Sequence, residues 1–280
     1  MQSPRFLIMD SGVGGLTIAQ NIQTKIPHCQ ITYLADNGAF PYGVLPEPVL
    51  VERLISLLPP LERQYKPDII VIACNTASTA VLDHLRQQTP TPIIGVVPAI
   101  KPAAAASQSK QLALLATPGT VSRHYTQDLI DRFASGCQVL KIGSNALVHE
   151  AENKLRGLPV NADTLSNELA PIIEANQNGS KVDTLILGCT HFPFLHNEIK
   201  RCLPEDVNII DSGEAIARRA LHVLQQLPES SKPHIENQFL FSADDNHAHT
   251  LEAGIKHLGF SKIRFLSQST TQNTQKSGAS

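Results

Sequence analysis

The chain has 280 residues, which is room for two domains of ordinary size and a sizeable core. Hydrophobic residues make up 42% while aromatics reach only 5% and Trp is absent, so the core must be aliphatic, as suits an α/β protein. A formal charge of −2 with scattered Lys and Arg argues against nucleic acid as a partner, and no apolar run approaches the length of a membrane span.

In chain order, short apolar runs predict strands at residues 6–9, 31–35, 69–73, 93–97, 112–116, 139–142, 184–187 and 207–210, with helical patterns between them. Such alternation predicts parallel sheets. The run Ile69, Ile70, Val71, Ile72 is apolar at consecutive positions, as expected of a strand covered on both faces. Prolines punctuate 97–102 and predict a crossing into a second domain, with a return crossing near 204–208. The expected division is a first α/β domain of 1–97 plus 209–266 and a second of 98–208. Further on, a helix is expected over 213–224, a linker over 228–233, a strand at 239–242, a helix at 247–257 and a strand at 262–266. The polar tail 267–280 is expected to be disordered.

The apolar start at 6–9 is too short for a signal-peptide core, and a cytoplasmic protein is expected. Cys29, Cys74, Cys137, Cys189 and Cys202 lack the close spacing of a disulfide framework or a zinc ribbon, so free thiols in a reducing compartment fit best.

In parallel sheets ligands bind beyond the strands' C-terminal ends, and here those ends are rich in polar groups. An internal repeat singles out two of them. Residues 67–78 (PDIIVIACNTAS) and 181–192 (KVDTLILGCTHF) superimpose on Cys74 and Cys189, with Asp68 and Asp183 each six positions earlier. Asn75 and Thr76 are good caps for a helix over 77–86, which places Cys74 at a helix N-terminus where the dipole favours thiolate, and Cys189 is expected to sit equivalently. Two such thiols in matching halves suit inversion of a stereocentre, one removing the α-proton and the other returning a proton to the opposite face. The developing carbanion then needs hydrogen bonds to the substrate carboxylates from helix N-termini and short polar side chains. The turn from Asp10 to Gly15 fits that role. Its rival reading is a dinucleotide loop, of which the first two glycines are present while Thr17 occupies the third position. Other readings stay open at this point: a hydrolase with a cysteine nucleophile and His191 as base, a zinc site of Cys74, Cys189 and His191, or a non-catalytic ligand-binding cleft.

The segments MDSGVGGLTI, ADNGAFPYG, IACNTAST, GVVPAIKPA, LATPGTVSRHY, GCTHFPFL and DSGEAIARR, in this order between residues 9 and 219, together resemble the glutamate racemase family. His191 favours it over the related aspartate racemases, which usually carry Glu there and are the alternative reading. The resemblance implies two similar α/β domains with mainly parallel sheets, related by a pseudo-two-fold, with the active site in the cleft between them and no cofactor or metal. It further implies that Cys74 exchanges the proton on the face used with D-glutamate and Cys189 on the face used with L-glutamate. Substrate contacts would come from Asp10, Ser11, Pro41, Tyr42, Gly43, Asn75, Thr76, Thr120, Thr190 and His191. Asp10 and His191 would assist the thiols, with Asp36 and Glu152 as further catalytic acids. Asp36 could equally cap a turn, His191 could equally cap its helix, and Glu150 lies only two positions from Glu152. The family's product would be D-glutamate for peptidoglycan synthesis, with glutamate the partner and a homodimer left open. One departure is Val44-Leu45-Pro46, where the family usually has a charged residue and Ser after Pro-Tyr-Gly.

Overall fold

The structure is a computed structural model that describes residues 3–228 and 235–266. Most of the expected linker and the whole of the expected disordered tail lie outside the described residues. The elements run β1 (Arg5–Asp10), α1 (Leu16–Lys25), β2 (Gln30–Ala35), α2 (Glu47–Tyr65), β3 (Ile69–Ile72), α3 (Asn75–Arg86), β4 (Ile93–Gly95), α4 (Ile100–Ala106), β5 (Gln111–Ala116), α5 (Pro118–Ser122) and α6 (His124–Phe133). They continue with β6 (Gln138–Gly143), α7 (Ala146–Leu155), α8 (Ala162–Gln177), β7 (Thr184–Leu187), α9 (His196–Cys202), β8 (Asn208–Ile210), α10 (Gly213–Leu224), β9 (Gln238–Phe241), α11 (Asn246–His257) and β10 (Lys262–Phe265). Every expected strand is present, with ends displaced by at most two residues.

The strands form a six-stranded sheet of order β10-β9-β2-β1-β3-β4 and a four-stranded sheet of order β6-β5-β7-β8. Every pairing in both sheets is parallel. Side chains alternate between two aliphatic layers, which explains the consecutive apolar runs. Ile69 and Val71 of β3 join one core with Phe6 and Ile8 of β1, while Ile70 and Ile72 join another with Leu7 and Met9. In the second sheet Leu185 and Leu187 of β7 face one layer and Ile186 the other. Burying each such side chain contributes about 1.5–3 kcal/mol, so a charge on either face of β3 or β7 would unseat the strand end that carries a cysteine.

The chain passes to the second sheet through Pro98 and Ala99, and α4 accommodates Pro102 in its first turn, where no N–H donor is lost to the helix. It returns after β8. Ile209 and Ile210 pair with Leu185 and Ile186, so these two residues travel with the second sheet instead of opening the first domain as expected.

Candidate active site

Both repeated cysteines stand two residues beyond a strand. The last ladder bond before each is equivalent: Ala73 donates its N–H to Met9 O and Gly188 to Leu115 O, each at 2.7 Å. Beyond the cysteines the two segments diverge. Cys74 is itself the extended cap residue of α3, with φ −131° and ψ 121°, and its carbonyl accepts from Ser78 N–H at 2.8 Å. Asn75 and Thr76 therefore lie inside the first turn and do not cap it. The Cys74 side chain makes no cap hydrogen bond to the helix. Cys189, by contrast, precedes no α-helix directly. A turn and a 3₁₀ helix over Phe192–Leu195 intervene before α9, so the expected match at a helix N-terminus fails on this side.

The two thiols consequently have different proton partners. Asp10 ends β1, whose Met9 pairs with Ile72, so its carboxylate comes to lie beside Cys74. It accepts from Ser11 N–H at 2.8 Å, Gly15 N–H at 2.6 Å and Tyr33 Oη at 3.4 Å. Burial pushes the Asp10 carboxyl up, against the lowering effect of His191 and the backbone donors. The Cys74 thiol is pushed well up by burial and by the neighbouring Asp10.

At Cys189 the partner is His191, with Sγ and Nδ1 3.9 Å apart. The other ring nitrogen, Nε2, lies 3.3 Å from Glu152 Oε1. Burial alone would lower the imidazole, but its hydrogen bonds to Cys189 and Glu152 outweigh that and hold it well above its ordinary value. Glu152 is completely buried; desolvation is outweighed by the bonds from His191 and His247, and its carboxyl is held at about 2. Its neighbour Glu150 instead accepts from Asn161 N–H at 2.8 Å on the outside, so the structure brings Glu152 to the cysteine and leaves Glu150 aside. His191 occupies the cap position of the 3₁₀ helix but makes no side-chain cap bond.

One small cavity is lined from both sheets: Ser11, Pro41, Tyr42, Gly43, Cys74, Asn75 and Thr76 on one side, and Thr117, Val148, Cys189, Thr190 and His191 on the other. The amide Nδ2 of Asn75 is buried with no hydrogen-bond partner, a donor left free for whatever occupies the cavity. The Thr76 hydroxyl lies 2.8 Å from that of Thr117 and 3.1 Å from that of Thr120, and the latter two are 3.0 Å apart. Thr117 reaches the cavity, whereas Thr120 is fully buried behind it. Among the remaining expected residues, Asp36 stays outside the cavity. Its carboxylate accepts from Arg53 Nε at 3.0 Å and Nη2 at 2.6 Å and from Tyr42 Oη at 2.6 Å, an arrangement that fixes Tyr42 at the rim. Its side chain makes no cap bond to the following 3₁₀ turn.

Thr17, at the third glycine position of the dinucleotide-loop pattern, joins the halves by donating to Gly14 O at 2.9 Å and Thr190 O at 3.1 Å. The altered Val44-Leu45-Pro46 segment keeps Tyr42 and Gly43 in place through a 3₁₀ turn, leaves Val44 exposed, and lets Glu47 at the start of α2 pair with Arg123 from the far side of the cavity. Sequence reasoning missed Thr117, Val148, Tyr33 and His247. Thr117 carried a signal, as the cap residue before Pro118 at a strand end; the others lie on strand or helix faces where nothing local distinguishes them. Among the described residues, no group of three or more His, Cys, Asp or Glu is placed to hold a metal ion.

Residues 29–220 match the Asp/Glu/Hydantoin racemase family. A glutamate racemase of Shewanella loihica is 48% identical over 86% of this chain and 88% of its own, and one of Aliivibrio fischeri is 46% identical over 93% and 96%. The crystal structure of Escherichia coli glutamate racemase in complex with L-glutamate and the activator UDP-MurNAc-Ala superimposes with a TM-score of 0.89 at 40% identity, covering 95% of this chain and 98% of that one. Two parallel sheets, a paired cysteine at the end of one strand in each, and a match over most of the length place this chain in the Asp/Glu/Hydantoin racemase family.

Proposed function

We propose that this protein is a cofactor-independent glutamate racemase that interconverts L- and D-glutamate by proton transfer between two thiols, and that it supplies D-glutamate for peptidoglycan in the cytoplasm. The observation that carries the reading is the pair of cysteines from separate sheets lining one cavity, each with its own buried acid or base. In the direction starting from L-glutamate, the thiolate of Cys189 takes the α-hydrogen as a proton and leaves the electron pair on the α-carbon. The Cys74 thiol then returns a proton to the opposite face. After the turnover the thiolate is on Cys74 and the thiol on Cys189, which is the form that accepts D-glutamate for the reverse reaction.

His191 serves as the cationic neighbour of the Cys189 thiolate, and Glu152 keeps it protonated. Asp10 orients the Cys74 proton. Ser11, Asn75, Thr76, Thr117, Thr190 and the Tyr42-Gly43 rim bind the two carboxylates, and hydrogen bonds that shorten as charge moves onto the α-carboxylate stabilise the carbanion. Thr120 supports Thr76 and Thr117 from behind, and Asp36 acts by holding Tyr42, with no proton of its own to move. The reading assigns residues 3–97, 211–228 and 235–266 to one lobe and 98–210 to the other, with the substrate between them.

Circular dichroism of L-glutamate, D-glutamate, L-aspartate and D-aspartate solutions incubated with the enzyme tests the substrate. Decay of the signal for both glutamate enantiomers, with aspartate turned over far more slowly, is the expected result. Equal rates on aspartate, or ellipticity that stays constant with glutamate, would refute the assignment.

A further inference from the structure

Glu152 is the hub of a network larger than the proposed reaction uses. Its Oε1 faces His191, and its Oε2 faces His247 Nε2 at 2.8 Å and Arg156 Nη2 at 3.2 Å. His247 comes from α11, beyond the residues matched by the family, and its side chain is only one-third exposed. Arg156 Nη2 lies 2.8 Å from His247 Nδ1 and 3.3 Å from its Nε2, so the guanidinium packs against the imidazole and holds it in place. His247 Nε2 stands 2.8 Å from Glu152 Oε2, and because an ionised carboxylate only accepts, Nε2 is the donor of that pair. The Phe40 ring packs against both imidazoles, with centroids 5.6 Å from His247 and 6.0 Å from His191.

We propose that His247 is a positioning residue for the Cys189 half of the reaction: oriented by Arg156, it saturates one oxygen of Glu152 so that the other remains an ionised acceptor aimed at His191. The inference rests on the two-thiol reading for its catalytic consequence, but the linkage from α11 to His191 stands on geometry alone. The chain of contacts runs Arg156, His247, Glu152, His191, Cys189. A carboxylate with no exposed surface that lost one of three donors would take up a proton more readily, and a protonated Glu152 could no longer hold His191 as the cation. The charged and titratable groups around this carboxylate are His191 from the turn after β7, His247 from α11, Arg156 at the C-terminal cap of α7, and Tyr33 of β2; Asp10 and Cys189 act on it through His191.

The test compares His247→Ala, which removes the donor, with His247→Gln, which keeps an N–H to offer Glu152. Two readouts are needed: the pH profile of kcat/KM with L-glutamate, and the titration of the Glu152 carboxyl followed by ¹³C NMR. In His247→Ala, kcat/KM is expected to fall about tenfold at neutral pH, the cost of one charge-assisted hydrogen bond, with KM little changed. Its acid limb should move to higher pH, and the Glu152 resonance should titrate within the ordinary carboxylate range. His247→Gln should recover most of the rate and restore both the limb and the resonance. A His247→Ala profile and resonance like the wild type, or an equal fall at every pH in both variants, would overturn the proposal. A wild-type enzyme that leaves glutamate unchanged would overturn the two-thiol reading instead, and the NMR titration would still decide whether His247 controls Glu152.

Discussion

Gly14 is the position where a single methyl group should disable one thiol without disturbing the fold. A Cβ built there would lie 2.7 Å from His191 Cε1 and 2.8 Å from Cγ, with Nδ1 closer still. Ordinary contact begins at 3.4 Å, so the ring must retreat by at least ~0.7 Å, the difference of 3.4 and 2.7 Å. It has nowhere to go that preserves its bonds, because Nδ1 already stands 3.9 Å from Cys189 Sγ and Nε2 is 3.3 Å from Glu152. Displacement of a reacting group by about 1 Å costs on the order of 100-fold in rate, about 2.7 kcal/mol of transition-state stabilisation. The Gly14 backbone has no positive φ, so alanine meets no conformational penalty of its own. Gly14→Ala should thus lower kcat/KM about 100-fold by the circular dichroism assay while the urea midpoint shifts little. An alanine variant within about threefold of wild type would show that His191 is not held as described, or that it is not needed by Cys189.

Three other outcomes rest on the contacts around the cavity. Glu152 has a folded pKa of about 2 against an ordinary 4.5, so its contribution is complete above pH ~4.5 and disappears as pH falls through ~2. The difference amounts to about 3 kcal/mol, and the stability gap between wild type and Glu152→Gln in urea unfolding should narrow over that window; a gap independent of pH would contradict the buried ionised state. Arg53→Ala leaves the Asp36 carboxylate buried with Tyr42 as its remaining side-chain donor, and should cost about 3 kcal/mol and raise KM as Tyr42 loosens, measured by thermal unfolding and steady-state kinetics. Thr117→Val removes a hydroxyl from the cavity wall and from the cluster with Thr76 and Thr120, and is expected to raise KM by up to about tenfold, whereas an unchanged KM would remove Thr117 from the binding set.

Much of this was legible because parallel strands write their burial directly into sequence. Consecutive aliphatic residues at Ile69–Ile72 could be satisfied only by cores on both faces, and the polar residues beyond each run marked the end where ligands collect. The register of Cys74 and Cys189 was equally visible. What was hidden depended on contacts across the chain. The two cysteines look equivalent in sequence, yet one lies beside Asp10 and opens an α-helix at once, while the other lies beside an imidazole and is followed by a 3₁₀ turn. Asp36 resembled a catalytic acid until Arg53, 17 residues later on α2, proved to hold both of its oxygens. His247 stands 56 positions after His191, and no local pattern marks a histidine that reaches a site through a carboxylate on another helix.

The central claim is that one thiol acts on each face of the α-carbon, and proton NMR of glutamate in deuterated water examines that directly. Starting from either enantiomer, early product should carry solvent deuterium at the α-carbon while recovered substrate remains largely unlabelled, and Cys74→Ser and Cys189→Ser should each abolish interconversion in both directions. Label appearing equally in substrate and product, or near-normal racemisation by either serine variant, would contradict it.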